Sequence, residues 1–309
     1  MALDAATTAL LQQLAAAGGA PMHEVPPDEA RARMAGLATM YLLGPEPART
    51  DDVVVPGPGG SLRARVLAPE TPRGVLLYLH GGGWVVGSID EHEALGRQLV
   101  EATGCAVVLA SYRLAPEHPW PAALEDAGAA LAWVEQHRAD LGADLPLVLA
   151  GDSAGANLAT ILARRARDAG GPAIAAQVLV YPVTDHDFDN GSYTDPANQL
   201  ALNRDTLRWF WDQYAAPAQR PDPDVSPARA EDLAGLPPAI VVLAQHDALR
   251  DEGAAYAAAL RSAGVAVDVR QFDGQMHGFF TMVGLLPAQA EAVAHVASLL
   301  DPHLREDSR

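Results

Sequence analysis

Gly151-Asp152-Ser153-Ala154-Gly155 fits G-x-S-x-G, the pattern that seats a serine on a strained turn between a strand and a helix, its hydroxyl facing a pocket. Glycine two places before and two places after the serine lets the chain turn without side chains striking the neighbouring strand. Upstream, His80-Gly81-Gly82-Gly83-Trp84 closes another apolar run. Together the motifs imply attack by a serine on a carbonyl carbon. That reaction needs a nucleophile, a base, a group that orients the base, and donors for the oxyanion that develops.

Every role has a candidate. Ser153 is the nucleophile, with Leu147 to Ala150 as the strand and Ala154 to Ala169 as the following helix. In the chain order serine, acid, histidine, the base is sought among His246, His277, His295 and His303. His246 adjoins the best acid and can hardly face it, while His295 and His303 fall in the last helix and tail. His277 lies in the loop Asp273 to Phe279, where glycines permit close approach. Asp247 follows the run Ile240 to Ala244, at the carboxyl end of a strand, and would hold the imidazole in the tautomer that accepts the serine proton. Its rivals Asp251 and Glu252 stand where a helix, Glu252 to Ala263, begins, and the helix dipole explains acids there. Backbone amides of Gly82, Gly83 and Ala154 are the oxyanion donors, with glycine expected so that no side chain fills the space of the substrate carbonyl. Alone, the glycine triplet reads as a plain turn and His277 as a solvent-facing loop residue. Their conjunction with the serine turn is what points to catalysis.

These groups need a scaffold. Short apolar runs, Val75 to Leu79, Ala106 to Ser111, Leu147 to Ala150, Gln177 to Tyr181, Ile240 to Ala244 and Val265 to Phe272, alternate with helical segments. The alternation predicts an α/β fold with a mostly parallel sheet flanked by helices. Val53 to Val55 and Leu62 to Leu67 flank a Pro/Gly turn and predict an antiparallel hairpin. Residues 3–43 read as two helices broken at Gly18-Gly19 and Pro26-Pro27, with Met34, Leu37, Met40 and Tyr41 at helical spacing. The organisation is 1–45 amino-terminal helices, 46–184 first part of the core, 185–236 an insertion, and 237–309 the second part. The insertion carries a helix, Arg204 to Tyr214, whose Trp209, Phe210, Trp211 and Tyr214 cannot all share one face. A lid that meets the amino-terminal helices accounts for them.

With 309 residues, 49% of them hydrophobic, the chain suffices for one large domain with an attached subdomain. A net charge of -18, with all 21 cations arginine, argues against nucleic acid and anionic membrane as partners and suits a small neutral ester and water. The lone cysteine, Cys105, lies in an apolar run. No apolar stretch is long enough to span a bilayer and the first residues lack a basic leader, so a cytoplasmic protein is expected. Asp185, Asp187 and Asp189 open like a calcium loop, but the glycine comes one place late and the twelfth position is Pro196. No metal and no cofactor is implied.

The motifs resemble the hormone-sensitive lipase-like carboxylesterases, the bacterial family IV esterases. The resemblance rests on His80 to Trp84, on Tyr112-Arg113-Leu114-Ala115-Pro116-Glu117-His118-Pro119 with Pro121 to Asp126, on Gly151 to Gly155, on Asp247 with Leu249 to Gly253, and on His277-Gly278-Phe279. It implies an α/β-hydrolase fold with a helical cap, hydrolysis of short to medium acyl esters, and the triad Ser153, Asp247 and His277. It also implies a homodimer through an edge strand near Val265 to Phe272. Arg113 and Glu117 are read as fixing loops. The chain departs from the family at Ala156, where glycine is usual, and Ala248, where proline is usual. The substrate pocket is expected to draw on Trp84, Phe279, the amino-terminal helices and the Asn198 to Trp211 segment, with Trp209 and Trp211 as its rings. The same triad could open lactones, activated amides or carbamates. A non-catalytic receptor on this fold is the alternative of another class, and it would be free to lose His277.

Overall fold

In the computed structural model, which describes residues 2–142 and 145–305, the apolar runs line up as one eight-stranded sheet in the order β1-β2-β4-β3-β5-β6-β7-β8. The strands are β1 (Arg49–Gly57), β2 (Gly60–Ala68), β3 (Val75–Leu79), β4 (Ala106–Ala110), β5 (Leu147–Asp152), β6 (Ala176–Val180), β7 (Ala239–His246) and β8 (Val267–Met276). β1 and β2 form the antiparallel hairpin and β2 meets β4 antiparallel. The remaining pairings are parallel.

Strand periodicity builds two cores. Val75, Leu77 and Leu79 of β3 enter one apolar cluster and Leu76 and Tyr78 the other, as a strand buried on both faces requires. The helices are α1 (Ala5–Ala17), α2 (Pro27–Ala38), α3 (Glu93–Thr103), α4 (Ala122–Gln136), α5 (Arg138–Gly142), α6 (Ala154–Ala169), α7 (Gly191–Thr194), α8 (Arg204–Tyr214), α9 (Arg250–Ser262) and α10 (Pro287–Leu300). Leu124 of α4, Leu158 and Ile161 of α6 and Leu260 of α9 fill the first cluster. Leu95 of α3 and Val293 and Val296 of α10 fill the second. The sheet is thus covered on both sides.

The amino-terminal segment folds as two helices. Asp4 caps α1 by accepting from the Thr7 amide at 2.7 Å, and α2 opens on Pro27, where a missing N–H costs nothing. Met40 and Tyr41, which the spacing assigned to a helix, follow α2 in a turn, because α2 ends at Ala38. Between β6 and β7 the insertion carries α8, capped by Asn203, whose side chain accepts from the Thr206 amide at 2.9 Å. Its rings divide between two environments. Trp211 and Tyr214 join the sheet's first cluster, while Phe210 joins Val25, Ala30, Val85 and Val86 in a third. His23 Nδ1 also lies 3.0 Å from Thr206 Oγ1, so α8 touches the amino-terminal segment directly. Among the described residues no helix is long and apolar enough to cross a membrane.

Candidate active site

The chain leaves β3, β5, β7 and β8 at their carboxyl ends, on one edge of the sheet, and there His80, Ser153, Asp247 and His277 follow directly. That edge is where parallel sheets bind ligands. Ser153 has φ 54° and ψ −117°, a left-handed conformation that costs a non-glycine residue about 1–3 kcal/mol and that the flanking strand and helix must enforce. A Cβ at Gly155 would overlap the Leu79 carbonyl oxygen of β3, and one at Gly151 would overlap the backbone of Gly155. Small residues at both places are therefore a condition of the turn.

Asp247 and His277 meet through register. After a register shift in which Asp273 to Gln275 of β8 stand against Gln245 of β7, His246 pairs with Met276, so the next residue of each strand stands beside the other. His277 Nδ1 lies 2.7 Å from Asp247 Oδ2, and the other carboxylate oxygen accepts from the Leu249 amide at 2.9 Å. A carboxylate only accepts, so Nδ1 carries the hydrogen and Nε2 is left as the proton acceptor. The Tyr181 ring, 4.4 Å from the imidazole, packs beside it. Ser153 and His277 line the same cavity. Asp273 to Met276, read as loop, are the last residues of β8. Ala248, in place of proline, is buried and its carbonyl accepts from Ser192 Oγ at 2.5 Å, which ties down the turn after Asp247.

The rival groups are occupied elsewhere. His246 is buried beside Asp247, His295 sits in α10 and His303 in the closing 3-10 turn. Asp251 pairs with Arg250 at 2.8 Å, and buried Glu252 accepts from the Thr184 amide at 2.7 Å. His186, which also follows Ser153, lies 3.0 Å from Ser226 Oγ. Burial pushes His80 down to about 4, so this ring is neutral, stacked on Tyr112 at 4.2 Å. Arg113 binds Asp126 at 2.8 Å and Glu117 binds Arg31 of α2 at 2.6 Å.

The amides of Gly82 and Gly83 have no acceptor among the described residues, and Ala154, first residue of α6, has none within its helix. Gly81 differs, because its amide donates to Asp152 Oδ1 at 2.9 Å. The fold supplies a packing reason for these glycines. A Cβ at Gly82, where φ is 115°, would strike the Val86 carbonyl oxygen, and one at Gly83 would enter the Phe210 ring. Loop packing by itself demands glycine at both places.

The cavity holds about 160 Å³ and is mostly apolar, with Met22 and Leu37 from the amino-terminal segment, Leu207 and Phe210 from α8, Met276 at the end of β8 and Met282 beyond it. Trp84 and Trp211 line it too, the Trp84 ring stacked on Tyr214 at 4.0 Å. Trp209 and Phe279 do not. Trp209 lies outside the lining, against Phe210 at 5.1 Å, because each helical residue turns about 100° from the last. Phe279 is wholly buried between Tyr181 and Phe272. Sequence reasoning held Phe210 within the Asn198 to Trp211 segment without singling it out, and it missed Met282 and Asp152. Phe210 had a signal, three places after Leu207, and so did Asp152, a charged residue ending an apolar strand.

A family model described as α/β hydrolase fold matches residues 76–281. The chain belongs to the hormone-sensitive lipase-like α/β hydrolases. Esterase LipI of Mycobacterium tuberculosis is 42% identical over 252 residues, 79% of each chain. Ethyl acetate hydrolase of Pseudomonas putida is 36% identical, covering 98% of this chain and 100% of its own. Among solved structures, a thermostable esterase from Pseudomonas putida superposes with a TM-score of 0.93 at 35% identity, covering 98% of both chains. A hyperthermophilic esterase from Pyrobaculum calidifontis superposes with a TM-score of 0.91 at 36% identity, covering 99% of this chain and 100% of that one.

Proposed function

We propose that the protein is a serine carboxylesterase that hydrolyses short to medium acyl esters through an acyl-enzyme on Ser153. The observation that carries this reading is the 2.7 Å contact between His277 and Asp247, on a cavity that His277 shares with Ser153. Ser153 Oγ attacks the ester carbonyl as His277 Nε2 takes its proton, and Asp247 stabilises the imidazolium. The amides of Gly82, Gly83 and Ala154 hold the oxyanion. The alcohol leaves with the proton from His277, and water then repeats the cycle on the acyl-enzyme. Residues 1–45 and 185–236 act together as the cap.

A cavity of about 160 Å³ is small beside the roughly 300–1,000 Å³ of pockets for drug-sized ligands, which favours short acyl chains. Relatives named esterase and ethyl acetate hydrolase support esters over lactones, amides or carbamates. A cytoplasmic location and a homodimer through edge strand β8 belong to the same proposal; a monomer by light scattering dismisses the dimer. The test of the reaction is initial rates on p-nitrophenyl esters from acetyl to palmitoyl with the wild type and Ser153→Ala. Turnover that peaks at short chains and vanishes without the serine supports the reading. An inactive wild type that still binds small apolar ligands supports a receptor instead.

A further inference from the structure

We propose that Asp152 is a positioning residue for the oxyanion hole, fastening the glycine loop to the nucleophile turn through the Gly81 amide, with His92 as its counter-charge. The inference rests on the esterase reading of Ser153. Asp152 ends β5, directly before Ser153, and its side chain is 7% exposed. One carboxylate oxygen, Oδ1, accepts from the Tyr78 hydroxyl at 2.9 Å and from the Gly81 amide at 2.9 Å, and His92 Nε2 stands 3.3 Å away. The His92 contact lacks hydrogen-bond alignment, and with the ring protonated it sets a positive charge beside the carboxylate.

Geometry makes the link specific. Gly81 and Ser153 leave different strands, β3 and β5, so the donors at Gly82 and Gly83 reach the reacting carbonyl only if the two loops keep register. A Cβ at Gly81 would collide with the second Asp152 oxygen, so glycine at that place is what admits the carboxylate. A hydrogen bond from the first glycine therefore aims the next two.

A carboxylate beside a developing oxyanion would repel it, and here the neighbours offset that. Burial pushes Asp152 up, but His92, Tyr78 and the Gly81 amide outweigh it and hold the carboxyl below its usual range. Burial pulls His92 down, yet Asp152, the Ser88 carbonyl and Glu91 raise it. The ring of neutral His80 faces His92 at 5.5 Å. With His92 protonated, the pair fixes the loop while adding little net charge.

The test compares wild type, Asp152→Ala and Asp152→Asn on p-nitrophenyl acetate, together with inhibition by a trifluoromethyl ketone, which forms an oxyanion on the serine. Asp152→Ala is expected to lose about a hundredfold in kcat with KM little changed, and to bind the ketone more weakly by the same factor as kcat/KM falls. Asn keeps an acceptor for Gly81 and is expected to recover to within about tenfold of wild type. Should the alanine variant not fold, Asp152→Ser, too short to reach Gly81, takes its place with the same expected loss. Wild-type kcat in the alanine or serine variant overturns the proposal and leaves the esterase standing. Equal losses in Asn and Ala with unchanged ketone binding also overturn it, because they would mark general disruption. An inactive wild type overturns the esterase reading and this inference with it.

Discussion

At the scale of single residues, two kinds of constraint meet at the strand ends. Asp247 and His277 are a chemical pair, and replacing the acid by its amide leaves shape intact while the imidazole is offered the wrong tautomer. Asp247→Asn is therefore expected to lower kcat by roughly three to four orders of magnitude with little change in melting temperature; a loss under about tenfold would remove Asp247 from the triad. The glycines are a packing pair. Gly82→Ala forces a Cβ against a backbone carbonyl at a φ of 115°, so nothing nearby can yield. At Gly83, where φ is 57°, the three atoms nearest a Cβ all belong to the movable Phe210 ring. We expect Gly82→Ala to abolish turnover beyond repair, and Gly83→Ala to be partly restored by Phe210→Ala. Kinetics of the double variant no better than the single one would contradict this.

At the scale of elements, α8 decides what the site admits. Phe210 faces the cavity and Trp209 does not. Phe210→Ala should move the acyl-length optimum toward longer chains, and Trp209→Ala should leave it in place; a shift with Trp209→Ala in a p-nitrophenyl ester series would refute the assignment. Here the limits of sequence reading are physical. The serine turn, the glycine triplet and the strand ends were legible because each is dictated locally, by backbone collisions and by apolar runs. The α8 boundaries were legible too, since the helical segment read as Arg204 to Tyr214 is the one that forms. Which aromatic ring faces the cavity was not, since α8 buries two faces against different partners and no single apolar stripe marks the inside. Phe279 was misassigned for a similar reason: one turn after His277 the chain dives into the second core, and Met282 lines the cavity instead. Asp152 stood inside the motif at a wildcard position, so its contact with Gly81 needed the fold to bring β3 beside β5.

At the scale of the whole molecule, segments distant in sequence are tied by charge. Arg31 of α2 reaches Glu117 at 2.6 Å and the Val85 carbonyl at 2.8 Å, which joins the amino-terminal segment to the glycine loop's side of the cavity. Buried Glu252 of α9 joins the exit of β6 by accepting from the Thr184 and Asp185 amides. Burial pushes this carboxyl from 4.5 up to about 8. An acid raised on folding holds its proton more tightly when folded, so the stability it contributes is complete below about 4.5 and is lost as pH rises through about 8. Glu252→Gln keeps an acceptor and cannot titrate. Its melting temperature should match wild type near about pH 5 and exceed it near about pH 9; parallel curves would show that Glu252 is not protonated in the fold.

The central claim is that Ser153 becomes the acylated nucleophile, and covalent capture tests it most directly. The protein is treated with a p-nitrophenyl phosphonate, released nitrophenolate is followed, and the labelled peptide is located by mass spectrometry. The account predicts stoichiometric release and a single adduct on Ser153, absent in Ser153→Ala and slowed in Asp247→Asn. No adduct, or an adduct on another residue, would contradict it.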